Sequence, residues 1–196
     1  MLTFTVVGYK YRYEWHCFIN SLLLQTDDRW FCQLYNDGPD PVARDICESY
    51  IDQFPDKFTY TESPKRAKKF GHNMRRDGLS KTVSKYWSTQ NADNYLMPVF
   101  VDYTISALEK GNDLVVFPCV HNYANVDLNG SPPYSVLDTY PKRLKCDAGS
   151  FVISTELAQR VGWESLENVA DGIFIDSVMK NDPHWTKLPN VLMVHN

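Results

Sequence analysis

No stretch of this sequence approaches the ~18 consecutive apolar residues that a membrane-crossing helix needs, and its opening MLTFTVVGYKYRYEW holds no long apolar run. No membrane span is therefore expected, and the chain reads as cytoplasmic or as the cytosolic piece of something longer. Cysteine is scarce and unpatterned. The five residues, Cys17, Cys32, Cys47, Cys119 and Cys146, are odd in number and contain no CxxC pair. That argues against a disulfide framework and against a zinc knuckle, and for reduced thiols. Long basic runs are also missing: with a net charge of −4 and one short cluster at Lys65–Lys69, nucleic acid is not the expected partner. Glycine-rich loops, repeats and low-complexity tracts are absent as well.

What remains is an ordinary globular composition with a surplus of rings. A chain of 196 residues can bury roughly 70% of its unfolded surface, so it needs no covalent staple. Twelve Tyr and five Trp bring the aromatic share to 14%, which suits either a packed core or stacking on sugar and base rings.

The hydrophobic pattern alternates strand and helix. Thr3–Val7 is a β-branched run ending in Gly8. Trp15, Phe18, Ile19, Leu22 and Leu23 then recur at helical spacing. Trp30–Tyr35 reads as a second strand, stopped by Asn36-Asp37-Gly38-Pro39-Asp40. A helix is expected over 42–51, a strand over 58–61, a basic loop over 63–69, and a weakly amphipathic helix over 73–86. Further along come a short strand at 86–89 and a helix marked by Leu96, Val99, Phe100, Tyr103 and Ala107, with Pro98 in its first turn. A buried strand follows at 113–120, then a long polar loop at 121–145. The chain closes with a strand at 151–154, helices at 155–161 and 171–179, and a strand at 191–194. This order implies an α/β sandwich with a mostly parallel sheet, as one domain over 1–196.

Ligands of open α/β sheets bind where loops leave the carboxyl ends of the strands. Four polar clusters fall at such places: Tyr9, Asn36–Asp40, Gly71–Arg75 and Asn91–Asn94. Asp93 is the sharpest single candidate, a hard oxygen ligand for Mn²⁺ or Mg²⁺, although it or Asn94 could simply cap the next helix.

The ordered set of motifs resembles the GT-A glycosyltransferases, in particular the family 2-like group of inverting enzymes. TFTVVGYKYRYEWHCFINSLLLQT and W-x₄-Y-N-D-G-P-D resemble the family's first strand, first helix and second-strand turn. GHNMRRDGL resembles its Arg-bearing segment, NADN its DxD metal motif, and NYLMPVFVDYTISAL the helix behind that motif. DAGSFVISTELAQRVGW with NVADGIFIDSVMK resembles the acceptor-side strand and the acidic segment with the catalytic base.

The resemblance implies a GT-A (Rossmann-like) α/β/α sandwich, with a nucleotide-binding half over 1–94 and an acceptor-side half over 95–196, complete or cut from a longer protein. It implies that Tyr9 and Asp37 contact the base, Asp37 favouring uridine, and that His72 and Arg75 lie beside the nucleoside or diphosphate, with Arg76 as the one-residue alternative. Asp93 would hold the metal, aided by the late His195. Asp171 would be the general base, with Asp147 as the competing carboxylate. One position departs from the pattern: Asn91 stands where the motif has Asp, so it can hydrogen-bond a ribose or ligate weakly but brings no charge. The implied activity is metal-dependent transfer from a nucleotide-sugar, a UDP-sugar favoured, to the hydroxyl of a carbohydrate or glycan acceptor, with inversion. Two other readings stand beside it. A non-catalytic sugar- or nucleotide-binding module is suggested by Asn91, whereas a sugar-nucleotide pyrophosphorylase would want more glycine than Gly8-Tyr9-Lys10 supplies.

Overall fold

Strand and helix alternate from the first residues of the chain, as the pattern predicts. The structure, a computed structural model, describes residues 1–122 and 134–196. The first half contains β1 (Leu2–Gly8), α1 (Tyr13–Leu23), β2 (Trp30–Asn36), α2 (Pro41–Gln53), β3 (Phe58–Glu62), α3 (His72–Lys81) and β4 (Tyr86–Asn91). After β5 (Tyr95–Leu96) come α4 (Phe100–Leu108), β6 (Leu114–Val116), β7 (Cys119–Asn122) and β8 (Tyr134–Leu137). The chain continues through β9 (Phe151–Ser154), α5 (Thr155–Val161), α6 (Ala170–Met179), β10 (Trp185–Lys187) and β11 (Met193–His195).

Seven strands form the main sheet in the order β10-β6-β9-β4-β1-β2-β3. All its pairings are parallel except those of β9, which runs antiparallel to both β4 and β6. Strand alternation sorts side chains between two apolar layers. Leu2, Phe4 and Val6 of β1 pack with Trp15 and Phe18 of α1, Cys47 of α2 and Phe100 of α4. Trp87 of β4 turns to the other face and packs with Leu79 of α3, Leu157 of α5 and Phe174 of α6. The result is an α/β/α sandwich. Among the described residues no helix is long and apolar enough to cross a membrane.

Local chemistry explains the boundaries. Asp40 caps α2, its Oδ1 accepting from the amides of Val42 and Ala43 at 3.2 Å each, and Pro41 opens the helix where its missing N–H costs nothing. Three expectations are corrected. The run Asp113–Val120 is two strands: the chain leaves the main sheet at Phe117-Pro118, since proline has no N–H to extend a ladder, and β7 joins a second sheet ordered β5-β11-β7-β8. The helix expected around Leu96 begins only at Phe100. Leu96 pairs with Met193, and Pro98 disfavours helical geometry at Met97. The helix of 73–86 also stops sooner, at Lys81, and β10 had no recognisable pattern. Part of the long polar loop, 123–133, lies outside the described residues.

Helix α3 approaches the sheet through Gly78. A β-carbon there would meet Thr5 Cγ2 at 2.4 Å and Gln33 Oε1 at 2.9 Å. Thr5 Oγ1 donates to Gln33 Oε1 and accepts from Trp87 Nε1, both at 2.9 Å, so those neighbours cannot step aside. Gly78→Ala should cost ~1–3 kcal/mol by overpacking in chemical denaturation. An unchanged midpoint would contradict this packing.

Candidate active site

Three parallel strands end side by side. Gly8 of β1 registers with Asn36 of β2, and Val7 with Asn91 of β4, so the loops after them share one rim. There a cleft of about 550 Å³ opens, lined by Tyr9, Tyr11, Asp37, Arg66, Phe70 and Asn91 among others. Asp37 is buried and its Oδ1 accepts from the Ala67 amide at 2.7 Å. The Arg66 guanidinium lies 3.7 Å from the centre of the Tyr9 ring, a flat cationic platform suited to stacking. Lys68 and Phe70 hold φ of +55° and +51°, sparsely populated for non-glycine residues. With Gly71, whose added β-carbon would lie 2.2 Å from Val7 Cγ1, they fold the basic loop against the cleft.

Arg75 lies beneath, 2% exposed, donating to the Phe70 carbonyl at 2.7 Å and to Asn91 Oδ1. Both acceptors belong to cleft-lining residues. Burial pushes its pKa down to about 10 despite the opposing pull of Asp147, Asp171 and Asp93. Arg76 faces elsewhere, its Nε donating to the Trp163 carbonyl at 2.8 Å. His72 is buried with its ring 5.8 Å from that of Trp163, and it is not among the residues lining the cleft. Burial, then the charge of Arg75, pushes His72 down to about 4, so it is neutral at pH 7.

Asp93 sits just past β4. Its Oδ2 accepts from the Tyr11 hydroxyl at 2.6 Å, whereas its Oδ1 is buried with no hydrogen-bond partner among the described residues. Burial raises the carboxyl pKa, a sign of anionic charge under-compensated by the protein. His195 Nδ1 lies 2.7 Å from Asn94 Oδ1. His121, which sequence reasoning did not single out, is grouped with Asp147 and His195, one ligating atom of each within 4.8 Å of the others. Burial and then His195 lower the pKa of His121. Its 3.9 Å approach to Asp147 is therefore a contact of a neutral ring rather than an ion pair.

A divalent cation fits this donor set. Three carboxylates act on one buried guanidinium, and Asp93 Oδ1 has no hydrogen-bond partner among the described residues. Asn91 now has a physical account. It gives Arg75 a neutral acceptor, where Asp would add a further negative charge.

Asp171 opens α6, its Oδ1 accepting from the Gly172 amide at 2.7 Å. Burial, then the charge of Asp147, pushes its pKa up to about 6. The residues that sequence reading missed, Tyr11, Arg66 and His121, carried only weak signals. The basic cluster at Lys65–Lys69 was visible, but not its place over the cleft.

The sheet is mostly parallel, and an acid-rich site lies at its carboxyl rim. The profile described as Glycosyl transferase family 2 matches residues 17–164, and the chain belongs to that family. Tyr9, Asp171 and His195 lie outside the matched span. No curated protein matches the chain. Among solved structures, residues 1-349 of S. aureus TarS are similar at 14% identity and TM-score 0.75, covering 99% of this chain and 60% of that one. The same fragment in complex with UDP-GlcNAc matches at 13% identity and TM-score 0.73, covering 98% and 58%. The mannosyltransferase PcManGT from Pyrobaculum calidifontis, in complex with GDP-Man and Mn²⁺, matches at 14% and 0.77, covering 99% and 56%. At such identities the likeness is one of fold, and the chain spans about 60% of the length of the TarS fragment.

The raised pKa of Asp171 has a sign. Its folded value of about 6 exceeds the ~3.9 of an unfolded aspartate, so stability present below pH ~4 is lost as pH rises through 6. Asp171→Asn should therefore stabilise the metal-free protein at pH 7.5 by ~1–3 kcal/mol and give no gain at pH 4. Melting curves at both pH values check this, and a variant that is less stable at pH 7.5 would refute it.

Proposed function

We propose that this domain transfers a glycosyl group from a nucleoside-diphosphate sugar, a UDP-sugar favoured, to an acceptor hydroxyl with inversion. The observation that carries this reading is the placement of Asp93: among the described residues its Oδ1 is buried with no hydrogen-bond partner, while its Oδ2 accepts from Tyr11, a wall of the cleft. A nucleoside in the cleft would stack on the Tyr9–Arg66 platform, and Asp37 would accept from the imide N–H of uracil. The diphosphate would then lie toward Asn91 and Asp93, with Arg75 beneath.

Asp93 and His195 would hold a divalent cation, Mn²⁺ or Mg²⁺, with Asp147 and His121 near enough to join. Such an ion neutralises the charge that develops on the departing diphosphate. The protein's own part is positional. Tyr11 orients Asp93, and Asn94 orients His195. A carboxylate base is needed because a sugar hydroxyl is a weak nucleophile at pH 7. Asp171 fits that role, ionised above about pH 6 and basic enough to accept the hydroxyl proton. PcManGT was captured with GDP-Man and Mn²⁺ and the TarS fragment with UDP-GlcNAc, which supports a nucleotide-sugar donor and leaves UDP as our own choice of base.

The test is release of nucleoside diphosphate from UDP- and GDP-sugars with Mn²⁺. Asp171→Asn should lower turnover ~10²–10⁴-fold, and the wild-type rate should rise with pH through about 6 as the base ionises. Near-normal turnover by Asp171→Asn, with loss in Asp147→Asn, would transfer the role to Asp147. Binding without release from any sugar nucleotide would favour the non-catalytic module that Asn91 suggests. In a thermal-shift comparison, a nucleotide held at 100 times its Kd adds about 2.7 kcal/mol. A larger shift with GDP than with UDP would overturn the uridine preference.

A further inference from the structure

A chain whose net charge is −4 gathers three cations, Lys142, Arg143 and Lys145, just before Asp147. All three are exposed, and none makes an ion pair among the described residues. Lys187 differs from them. Its Nζ lies 3.8 Å from the centre of the Tyr140 ring and is already paired with Asp138.

The cations are carried on a closed turn. The Tyr140 amide donates to the Lys145 carbonyl at 2.7 Å, and the Lys145 amide donates to the Lys142 carbonyl at 3.0 Å. The Arg143 amide donates to Asp176 Oδ1 of α6 at 3.0 Å, which ties the turn to that helix. Leu144 rounds the corner at φ +62°, sparsely populated for a residue with a β-carbon, and is 79% exposed. Backbone strain and a bare leucine are both unfavourable in the isolated domain, and such outliers cluster at binding sites.

Gly172 decides where the turn rests. A β-carbon there would lie 2.7 Å from Arg143 Cγ and 3.2 Å from Arg143 Cα, so the turn settles on α6 only because the side chain is missing. The Gly172 amide is also the group that donates to Asp171 Oδ1. The turn therefore borders the carboxylate assigned to the acceptor proton, and Asp147, whose charge Asp171 feels, follows Lys145 by two positions. Two carboxylates repel an anionic acceptor, whereas a neutral sugar needs no cation to approach them. Unpaired cations beside them offset that repulsion.

We propose that Lys142, Arg143 and Lys145 form an acceptor-side anion subsite, so that the acceptor carries a phosphate or carboxylate group close to the hydroxyl that is glycosylated. A guanidinium fork and ammonium groups match the oxygens of either anion. The proposal rests on the transfer reading above and adds the charge of the acceptor.

The test is amide NMR of the full chain titrated with glucose phosphate, glucuronate or glucose. Shifts at the amides of residues 142–145 and of Gly172 are expected with either anion and not with glucose at the same concentration. A response to the phosphate alone assigns a phosphorylated acceptor, and a response to glucuronate alone a carboxylated one. Lys142→Gln and Arg143→Gln should each weaken that binding ~10-fold through loss of a charge-assisted hydrogen bond, with recovery in Lys142→Arg. Equal shifts with glucose, no shift with any of the three, or unchanged binding in the Lys142 and Arg143 variants overturns the proposal. Cosedimentation with phosphatidylglycerol but not phosphatidylcholine vesicles, without a sugar-anion response at the turn, overturns it as well and assigns the turn to a membrane surface. Glucose phosphate bound at the turn of a domain that releases no nucleoside diphosphate from any sugar nucleotide would instead overturn the transfer reading and leave the anion subsite standing.

Discussion

A guanidinium buried to 2% exposure is the constraint around which this rim is built. Taking Arg75 out of water is costly, and the protein offsets that cost with hydrogen bonds to the Phe70 carbonyl and to Asn91 and with the fields of Asp93, Asp147 and Asp171. The compensation overshoots. Burial, and after it the charge of Asp147, raises the pKa values of Asp93 and Asp171, and Asp93 Oδ1 has no hydrogen-bond partner among the described residues. An excess of buried negative charge is unfavourable in the isolated protein and would be offset by a bound divalent cation.

The two sheets divide the labour. The aligned carboxyl ends of β1, β2 and β4 create the cleft, because parallel neighbours in this register must deliver their loops to the same edge. The smaller sheet brings the end of the chain back across the site. β11 pairs with β5 just beyond Asn94, and with β7 at His121. His195 thereby reaches a residue more than a hundred positions earlier in the sequence, the Asn94 amide, without any long loop. The basic segment before α3 acts as the wall on the other side, and its left-handed residues Lys68 and Phe70 are strain the rest of the domain holds in place.

Much of this was legible from residues alone. The alternation of β-branched runs with helical spacing gave the parallel half of the sheet almost to the residue, because buried parallel strands and amphipathic helices leave strong periodic signals. The rims were legible too: Asp37, Asn91 and Asp93 follow strands, and Arg75 rather than Arg76 occupies the interior. What was hidden depended on partners distant in sequence. Pro118 splits an apolar run between two sheets, and β10 has no pattern of its own. His121 looked like the start of a polar loop because its significance lies in a register with β11 that no local window contains. Tyr11 and Arg66 were hidden for the same reason.

The central claim is that Asp93 grips a divalent ion that in turn grips a diphosphate at the rim of the sheet. The most direct measurement is anomalous diffraction from crystals grown with Mn²⁺ and UDP. The account predicts a single strong manganese peak about 2.2 Å from Asp93 Oδ1 and in contact with both a UDP phosphate and His195 Nε2. A peak remote from Asp93, or UDP bound in the cleft with Asp93 still turned only to Tyr11, would contradict it.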